Sequence, residues 1–225
     1  MSVAEHLNID VAEYDARIRT FIPDYDELIA TAAAALCLLE TSAPEIVDLG
    51  TGTGALAAKC LEAHEAACLI GIDSDATMIE MAAARLAAHS RVGFVRANFL
   101  ETALAPCDAI VTSLALHHIP TAEAKRAFYA ACREALRPGG VLVSADCFTT
   151  REPRLAASQH DAWLSHLRQT YPLEESERFL ATWAGKDVYS ALQDELEWLR
   201  GAGLMPEVVW RKGRFAVVAA VRAER

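Results

Sequence analysis

Glu45-Ile46-Val47-Asp48-Leu49-Gly50-Thr51-Gly52-Thr53-Gly54-Ala55-Leu56 changes character twice within its length. It opens as a short apolar run, the pattern of a strand buried in a parallel sheet. It then turns through Gly50, Gly52 and Gly54, and continues as Ala-Leu-Ala-Ala-Lys-Cys-Leu, which reads as a helix over 54–64. Glycine admits positive φ and lets a ligand approach the backbone. The start of the helix offers free N–H groups and the positive end of a dipole. Strand, turn and helix together predict a cradle for a ligand with a polar or anionic end. Asp48 sits near the carboxyl end of the strand, where open α/β sheets bind ligands.

Working outward, the same rhythm repeats. A strand at 68–72 leads into Asp73-Ser74-Asp75 and a helix at 75–88. A strand at 91–95 leads to Asn98-Phe99. A strand at 107–113 leads to Leu114-Ala115-Leu116-His117-His118-Ile119-Pro120 and a helix at 121–136. Arg137-Pro138-Gly139-Gly140 reads as a tight turn feeding a strand at 141–146. Strands alternating with helices predict a parallel, doubly wound sheet. Upstream, Tyr14, Ile18, Phe21 and Ile22 recur at helical spacing, and Pro23 ends that helix. Asp24 or Asp26 is placed to cap a further helix over about 26–40. After Asp146 the rhythm breaks. Residues 151–200 are helical in character and carry Trp163, Tyr171, Phe179, Trp183 and Tyr189. Runs at 206–211 and 215–222, joined by Lys212-Gly213-Arg214, read as a hairpin. The expected organisation is one domain: an N-terminal helical lid (1–40), a ligand-binding core (41–150), a helical insertion (151–200) and a closing hairpin (201–225).

Composition narrows the class. At 225 residues the chain buries a full core without staples. It is 53% hydrophobic, yet no uncharged apolar run reaches the roughly 20 residues of a membrane span. Met1-Ser2-Val3-Ala4-Glu5 lacks the basic start and apolar core of a signal peptide. The net charge of −10, without any Lys/Arg cluster, disfavours nucleic acid as a partner. The six cysteines are scattered with no C-x-x-C, which predicts a reduced, cytoplasmic protein without zinc or disulfides. No metal ligands are expected, and the expected partner is a small molecule, with a homodimer open.

Taken in order, these segments resemble the class I S-adenosylmethionine (SAM)-dependent methyltransferases from about residue 25 onward. Val47 to Gly54 resembles the family's D-x-G-x-G-x-G motif, Gly71-Ile72-Asp73 its acidic second-strand end, and Asn98-Phe99 the position after its third strand. Asp108-Ala109-Ile110-Val111 resembles the fourth-strand motif, and Leu136 to Gly140 the turn before strand five. The resemblance implies a Rossmann-like, seven-stranded, mostly parallel sheet of order 3-2-1-4-5-7-6 with the last strand antiparallel. It implies SAM as cofactor, S-adenosylhomocysteine as product, and methyl transfer to N or O of a small molecule. Within the family, Tyr14-Asp15-x-Arg17-Ile18-Arg19 and Ile22-Pro23-Asp24-Tyr25 resemble a subgroup related to the carboxymethyl-transferring enzyme of tRNA wobble uridine. A carboxy-SAM-type tRNA-modifying transferase and a non-catalytic SAM-binding protein therefore stay open. Carboxy-SAM would need a cation, for which Arg178 and Lys186 lie only in the right general region.

The resemblance distributes cofactor roles over Tyr14, Arg19, Tyr25, Asp48, Gly50, Thr51, Gly52, Gly54, Asp73, Ser74, Met78, Asn98, Phe99 and Leu114. A carboxylate such as Asp73 can accept both hydroxyls of a ribose, and charge makes such bonds strong. Asn98 offers a donor and an acceptor to an adenine edge. Each also has a plainer reading: Asp73 as a helix cap, Asn98 as a turn residue, Asp48 as a brace, Tyr25 as core, and Arg19 as a surface charge. Gly50-x-Gly52-x-x-Ala55 also satisfies a dinucleotide fingerprint, so NAD is a rival ligand, disfavoured by the residues before the first strand and by the closing hairpin. His117 and His118 are the candidate catalytic pair. A histidine can take a proton from an acceptor hydroxyl or amine, or it can simply pack the loop.

Overall fold

In the computed structural model, which describes residues 13–224, the apolar runs become seven strands. They are β1 (Glu45–Leu49), β2 (Cys68–Asp73), β3 (Val92–Arg96), β4 (Cys107–Ser113), β5 (Leu136–Cys147), β6 (Leu204–Lys212) and β7 (Phe215–Arg222). The helices are α1 (Tyr14–Phe21), α2 (Tyr25–Ala34), α3 (Ala55–Ala63), α4 (Ala76–Arg85), α5 (Ala122–Ala135), α6 (Pro153–Leu167), α7 (Leu173–Ala184) and α8 (Leu192–Gly201). The N-terminal residues 1–12, which include part of the expected lid and the segment read for a signal peptide, lie outside the described residues.

The strands form one sheet in the order β3-β2-β1-β4-β5-β7-β6. The first five are parallel, and β7 runs antiparallel to both β5 and β6. This is the expected seven-stranded topology. Central β1 and β4 are buried almost throughout because helices cover both faces of the sheet. One core, containing Phe21, Leu28, Leu61 and Trp163, gathers α1, α2, α3, α6 and α7 on one face. The other, containing Phe128, Tyr129, Leu136 and Leu199, gathers α5 and α8 on the opposite face.

Two segments differ from expectation for physical reasons. The helix expected over 26–40 is α2 followed by a 3₁₀ turn at Ala35–Leu38. Asp24 stands at its N-cap but makes no side-chain cap. Its φ is +53° and its carboxylate pairs with Lys212 instead. The segment Arg137–Gly140, expected as a tight turn, is the irregular start of β5. Arg137 binds Glu45 and Asp108, which holds the chain extended. The register slips between Cys107 and Ala109, with Gly139 at φ +79° on the opposing strand.

The 151–200 segment forms α6, α7 and α8, with an isolated bridge between Thr149 and Ala191. Its aromatic residues are a tie rather than a loose cover. Phe21 lies edge-on to Phe179 and Trp183 at 5.2 Å each, Trp183 stacks on Trp163 at 5.4 Å, and Trp163 meets Phe215 at 5.1 Å. Trp163 Nε1 also donates to the Phe21 carbonyl at 2.8 Å. Such pairs add about 0.5–1.5 kcal/mol each beyond burial, so α1 and the insertion are fastened together over the sheet.

Candidate functional site

One cavity of about 760 Å³ opens at the carboxyl ends of the parallel strands. Each strand contributes the residues just past its end: Gly50 after β1, Ser74 after β2, Ala97 and Asn98 after β3, Leu114 after β4, and Cys147 closing β5.

The glycine loop forms one wall. Gly50, Gly52 and Gly54 all have positive φ, at +67°, +54° and +77°. Their reasons differ. A Cβ on Gly50 would stand 2.6 Å from Ala115 Cβ, so the loop after β4 presses against it. A Cβ on Gly52 would find nothing nearer than 4.0 Å, so this backbone is open to a ligand. Gly54 caps α3 against Ala82. Leu114 has φ +51° without being glycine. A side chain in that region costs energy and is held there by its surroundings, here by its N–H donating to Ala145 O at 2.8 Å.

Asp73 abuts the loop on the cavity wall. Its carboxylate accepts N–H from Gly52 and from Asp75, both at 2.9 Å. Burial raises its pKa, and those backbone bonds oppose the rise. Met78 is fully buried beneath, and Phe99 meets Phe128 edge-on at 5.8 Å. Asn98 is exposed. Its oxygen accepts from Leu100 N and its amide reaches Glu101, both at 3.0 Å, so it holds the turn while facing the cavity. Asp48 lies behind the loop. Its Oδ2 accepts the Thr51 hydroxyl at 2.7 Å, its Oδ1 is buried without a partner, and burial pushes its carboxyl up to about 7.

The other end of the cavity holds the two histidines. Asp146, the last acidic residue of β5, collects four contacts. It accepts N–H from Leu116 at 2.8 Å and, more loosely, from His117 at 3.3 Å. It also accepts Cys147 N–H at 2.7 Å, and it stands 2.6 Å from His117 Nδ1. The second carboxylate, Asp187, lies 3.9 Å from His117 Nε2 and 3.3 Å from His118 Nδ1, and accepts the Tyr189 hydroxyl at 2.7 Å. Burial pulls the His117 imidazole down, but the two carboxylates more than reverse this and its pKa stands above the ordinary value. Arg214 lies over the Tyr189 ring at 4.7 Å.

Of the residues expected at the site, Tyr14, Gly50, Gly52, Asp73, Ser74, Met78, Asn98, Phe99, Leu114, His117 and His118 line the cavity. Asp48, Thr51, Gly54, Arg19 and Tyr25 do not. Arg19 turns to solvent because Asp26, in the first turn of α2, captures it at 3.0 Å. Tyr25 is core, and its hydroxyl is pushed up to about 12 by burial. Arg178 pairs with Glu175 and is largely exposed, while Lys186 lines the cavity. Asp146, Cys147 and Asp187 escaped the sequence reading. A lone Asp inside the apolar run Val141-Leu142-Val143-Ser144-Ala145-Asp146-Cys147 was the available signal for the first.

Comparison with known proteins agrees with this geometry. A family described as "Methyltransferase domain" matches residues 46–140. An uncharacterized methyltransferase of Geobacillus kaustophilus is 32% identical over 145 residues, covering 64% of this chain and 62% of that protein. The chain thus spans about three-fifths of the length of such relatives. A carboxy-S-adenosyl-L-methionine synthase of Nautilia profundicola is 24% identical over 212 residues, 93% of this chain and 90% of that one. Among solved structures, an O-methyltransferase family 2 protein from Planctomyces limnophilus, in complex with apigenin, superposes with TM-score 0.68 at 16% identity, covering 99% of this chain and 62% of that chain. That likeness speaks for the fold. The matched domain and the glycine loop together make residues 46–140 a methyltransferase domain, set in a sheet with the strand order of the class I S-adenosylmethionine-dependent methyltransferase fold.

Proposed function

We propose that this chain transfers a methyl group from SAM to a nitrogen or oxygen of a small molecule. The observation that carries the reading is the continuity of one cavity from Gly50, Gly52 and Asp73 at one end to His117, His118 and Asp187 at the other. The residues present suit SAM. The open space over Gly52 admits a ligand against the backbone, Asp73 offers a carboxylate edge to a ribose diol, and Met78, Phe99 and Leu114 offer apolar surface to a purine. Tyr14 closes the same end from α1. Asp48, Thr51 and Gly54 brace the loop from behind, and Tyr25 and Arg19 brace α1 and α2.

When bound, SAM supplies an activated methyl on a sulfonium. The chain's task is then to align the acceptor and keep water out. Phe21, Trp163, Trp183 and Phe215 give the acceptor end an apolar wall. His117, oriented through Nδ1 by Asp146, presents Nε2 toward Asp187 and is placed to hold or take a proton from the acceptor. The net charge keeps nucleic acid outside the proposal, and the free cysteines support a reducing compartment as part of it.

A carboxy-SAM-handling activity is the second reading, favoured by the near full-length similarity to the synthase and by Lys186 on the cavity wall. Mass spectrometry of ligand released from the natively purified protein separates the readings. SAM or S-adenosylhomocysteine supports methyl transfer, carboxy-SAM supports the second reading, and NAD overturns both. Calorimetric titration with SAM then checks the site, and no heat of binding would remove the proposal.

A further inference from the structure

We propose that His117, His118 and Asp187 form a binding site for one divalent transition-metal ion at the acceptor end of the cavity. It rests on the methyl-transfer reading only for its use, not for its existence.

The donor set is assembled from distant parts of the chain. His117 and His118 come from the turn after β4, and Asp187 from the loop after α7. One ligand atom from each lies within 4.8 Å of the others. At metal–ligand distances of about 2.0–2.2 Å, neighbouring ligands of a tetrahedral ion stand roughly 3.4 Å apart. The contacts between Asp187 and the two imidazoles, 3.3 and 3.9 Å, bracket that spacing.

The supporting shell is also present. Metal-binding histidines characteristically give their second nitrogen to a carboxylate, which fixes the ring. Asp146 does this for His117 Nδ1 at 2.6 Å, leaving Nε2 toward Asp187. Tyr189 anchors the Asp187 carboxylate at 2.7 Å. Asp146 and Asp187 are both nearly sealed from solvent, at 2% and 3% side-chain exposure, so two acidic groups sit around one pair of imidazoles. Two imidazoles and one carboxylate favour zinc-, iron(II)- or cobalt-like ions over magnesium or calcium, which prefer oxygen. Three protein ligands leave positions open to the cavity, as in sites that bind a substrate.

The use follows from that opening. With the ion bound, His117 Nε2 is a ligand rather than a base, so a hydroxyl acceptor on the ion releases its proton to solvent. Its oxygen lone pair then forms the bond to the methyl carbon as the carbon–sulfur bond breaks, and that pair stays on sulfur as a neutral thioether.

The test uses the full chain, stripped with a chelator and titrated with Co²⁺, with visible absorption as the readout. Saturable bands at one equivalent, displaced by Zn²⁺, are expected. Asp146→Asn should weaken binding about 10- to 100-fold, the usual effect of removing an outer partner, and Asp187→Asn at least as much. His118→Ala, whose ring is 45% exposed, tests the site with little risk to folding. Absence of saturable binding overturns the site. So does binding undiminished in both His118→Ala and Asp187→Asn, which would place the ion elsewhere, such as at the exposed Cys37 or Cys68. SAM titrations on the same samples keep the two ideas apart. SAM binding without a metal response removes only the metal site, whereas metal binding without SAM binding removes only the methyl-transfer reading.

Discussion

The carboxylate of Asp73 closes on the amide of Gly52 at 2.9 Å, tying the end of β2 to the middle of the glycine loop. The same carboxylate lines the cavity, so under the proposed function it both shapes the loop and is placed against the ribose. Asp73→Ala should therefore weaken SAM binding about 10- to 100-fold, since bonds to a charged group are each worth about 1.5–3 kcal/mol. Asp73→Asn keeps an acceptor for only one of the two amides, Gly52 or Asp75, and loses the charge, so its loss should lie between that of Asp73→Ala and none. Calorimetry on both variants checks this, and undiminished binding in Asp73→Ala would remove the ribose assignment.

Gly50→Ala and Gly52→Ala should differ although both have positive φ. Each pays about 1–2 kcal/mol for the left-handed backbone. Gly50→Ala must also push Ala115 away from a 2.6 Å contact, whereas Gly52→Ala meets no neighbour closer than 4.0 Å. Thermal melting should show the larger drop for Gly50→Ala. Gly52→Ala should melt closer to the parent protein yet bind SAM poorly, because its methyl stands in the open ligand space. Equal melting temperatures would contradict the packing argument.

Asp48 links stability to pH. Its carboxyl titrates near 7 when folded, against 3.8 as the ordinary value. Between those values the folded chain holds a proton that the unfolded chain has released, so this residue lowers stability as pH rises and levels off above about 7. Asp48→Asn removes the titration and still accepts from Thr51. Its melting temperature relative to the parent should climb from pH 5 to pH 8, with a ceiling of about 3 kcal/mol over that range at roughly 1.4 kcal/mol per pKa unit. Parallel melting curves across that range would sink the idea.

Behind His117 and Asp146, outside the cavity lining, Glu195 binds both Lys125 and Tyr129 between α8 and α5, with Lys125 and Glu195 only 3% and 1% exposed. Glu195→Ala strands a buried ammonium and should cost about 3–5 kcal/mol. Replacing all three by apolar groups, Lys125→Met with Tyr129→Phe and Glu195→Leu, should recover most of that loss. SAM affinity should stay level in the folded fraction of every variant. A triple variant no more stable than the single one would show that packing, not charge pairing, dominates there.

The sheet and the loop were legible because their signals are local. Apolar runs such as Ile46–Leu49 end in glycine or acidic residues, and each βα unit repeats the pattern. The acceptor end was less legible because its partners are far apart in sequence. His117 meets Asp146 across 29 residues, and Asp187 meets both histidines from beyond two further helices. No spacing rule connects them, since the topology alone brings the turn after β4 beside the end of β5. Arg19 shows the converse case. Its place in a motif suggested a ligand contact, but Asp26, seven positions away, offered a closer charge.

The placement of β7 has a consequence for the order in which the protein can be completed. Phe215–Arg222 follows the other six strands in the chain, yet it pairs on both sides, with β5 and with β6, and Phe215 lines the cavity. The first five strands can associate during synthesis, but β5 keeps a bare edge and the cavity lacks its Phe215 wall until β7 slides in. A nascent chain stalled before residue 215 should thus carry the glycine loop beside an open cavity, making ligand capture depend on synthesis past β7.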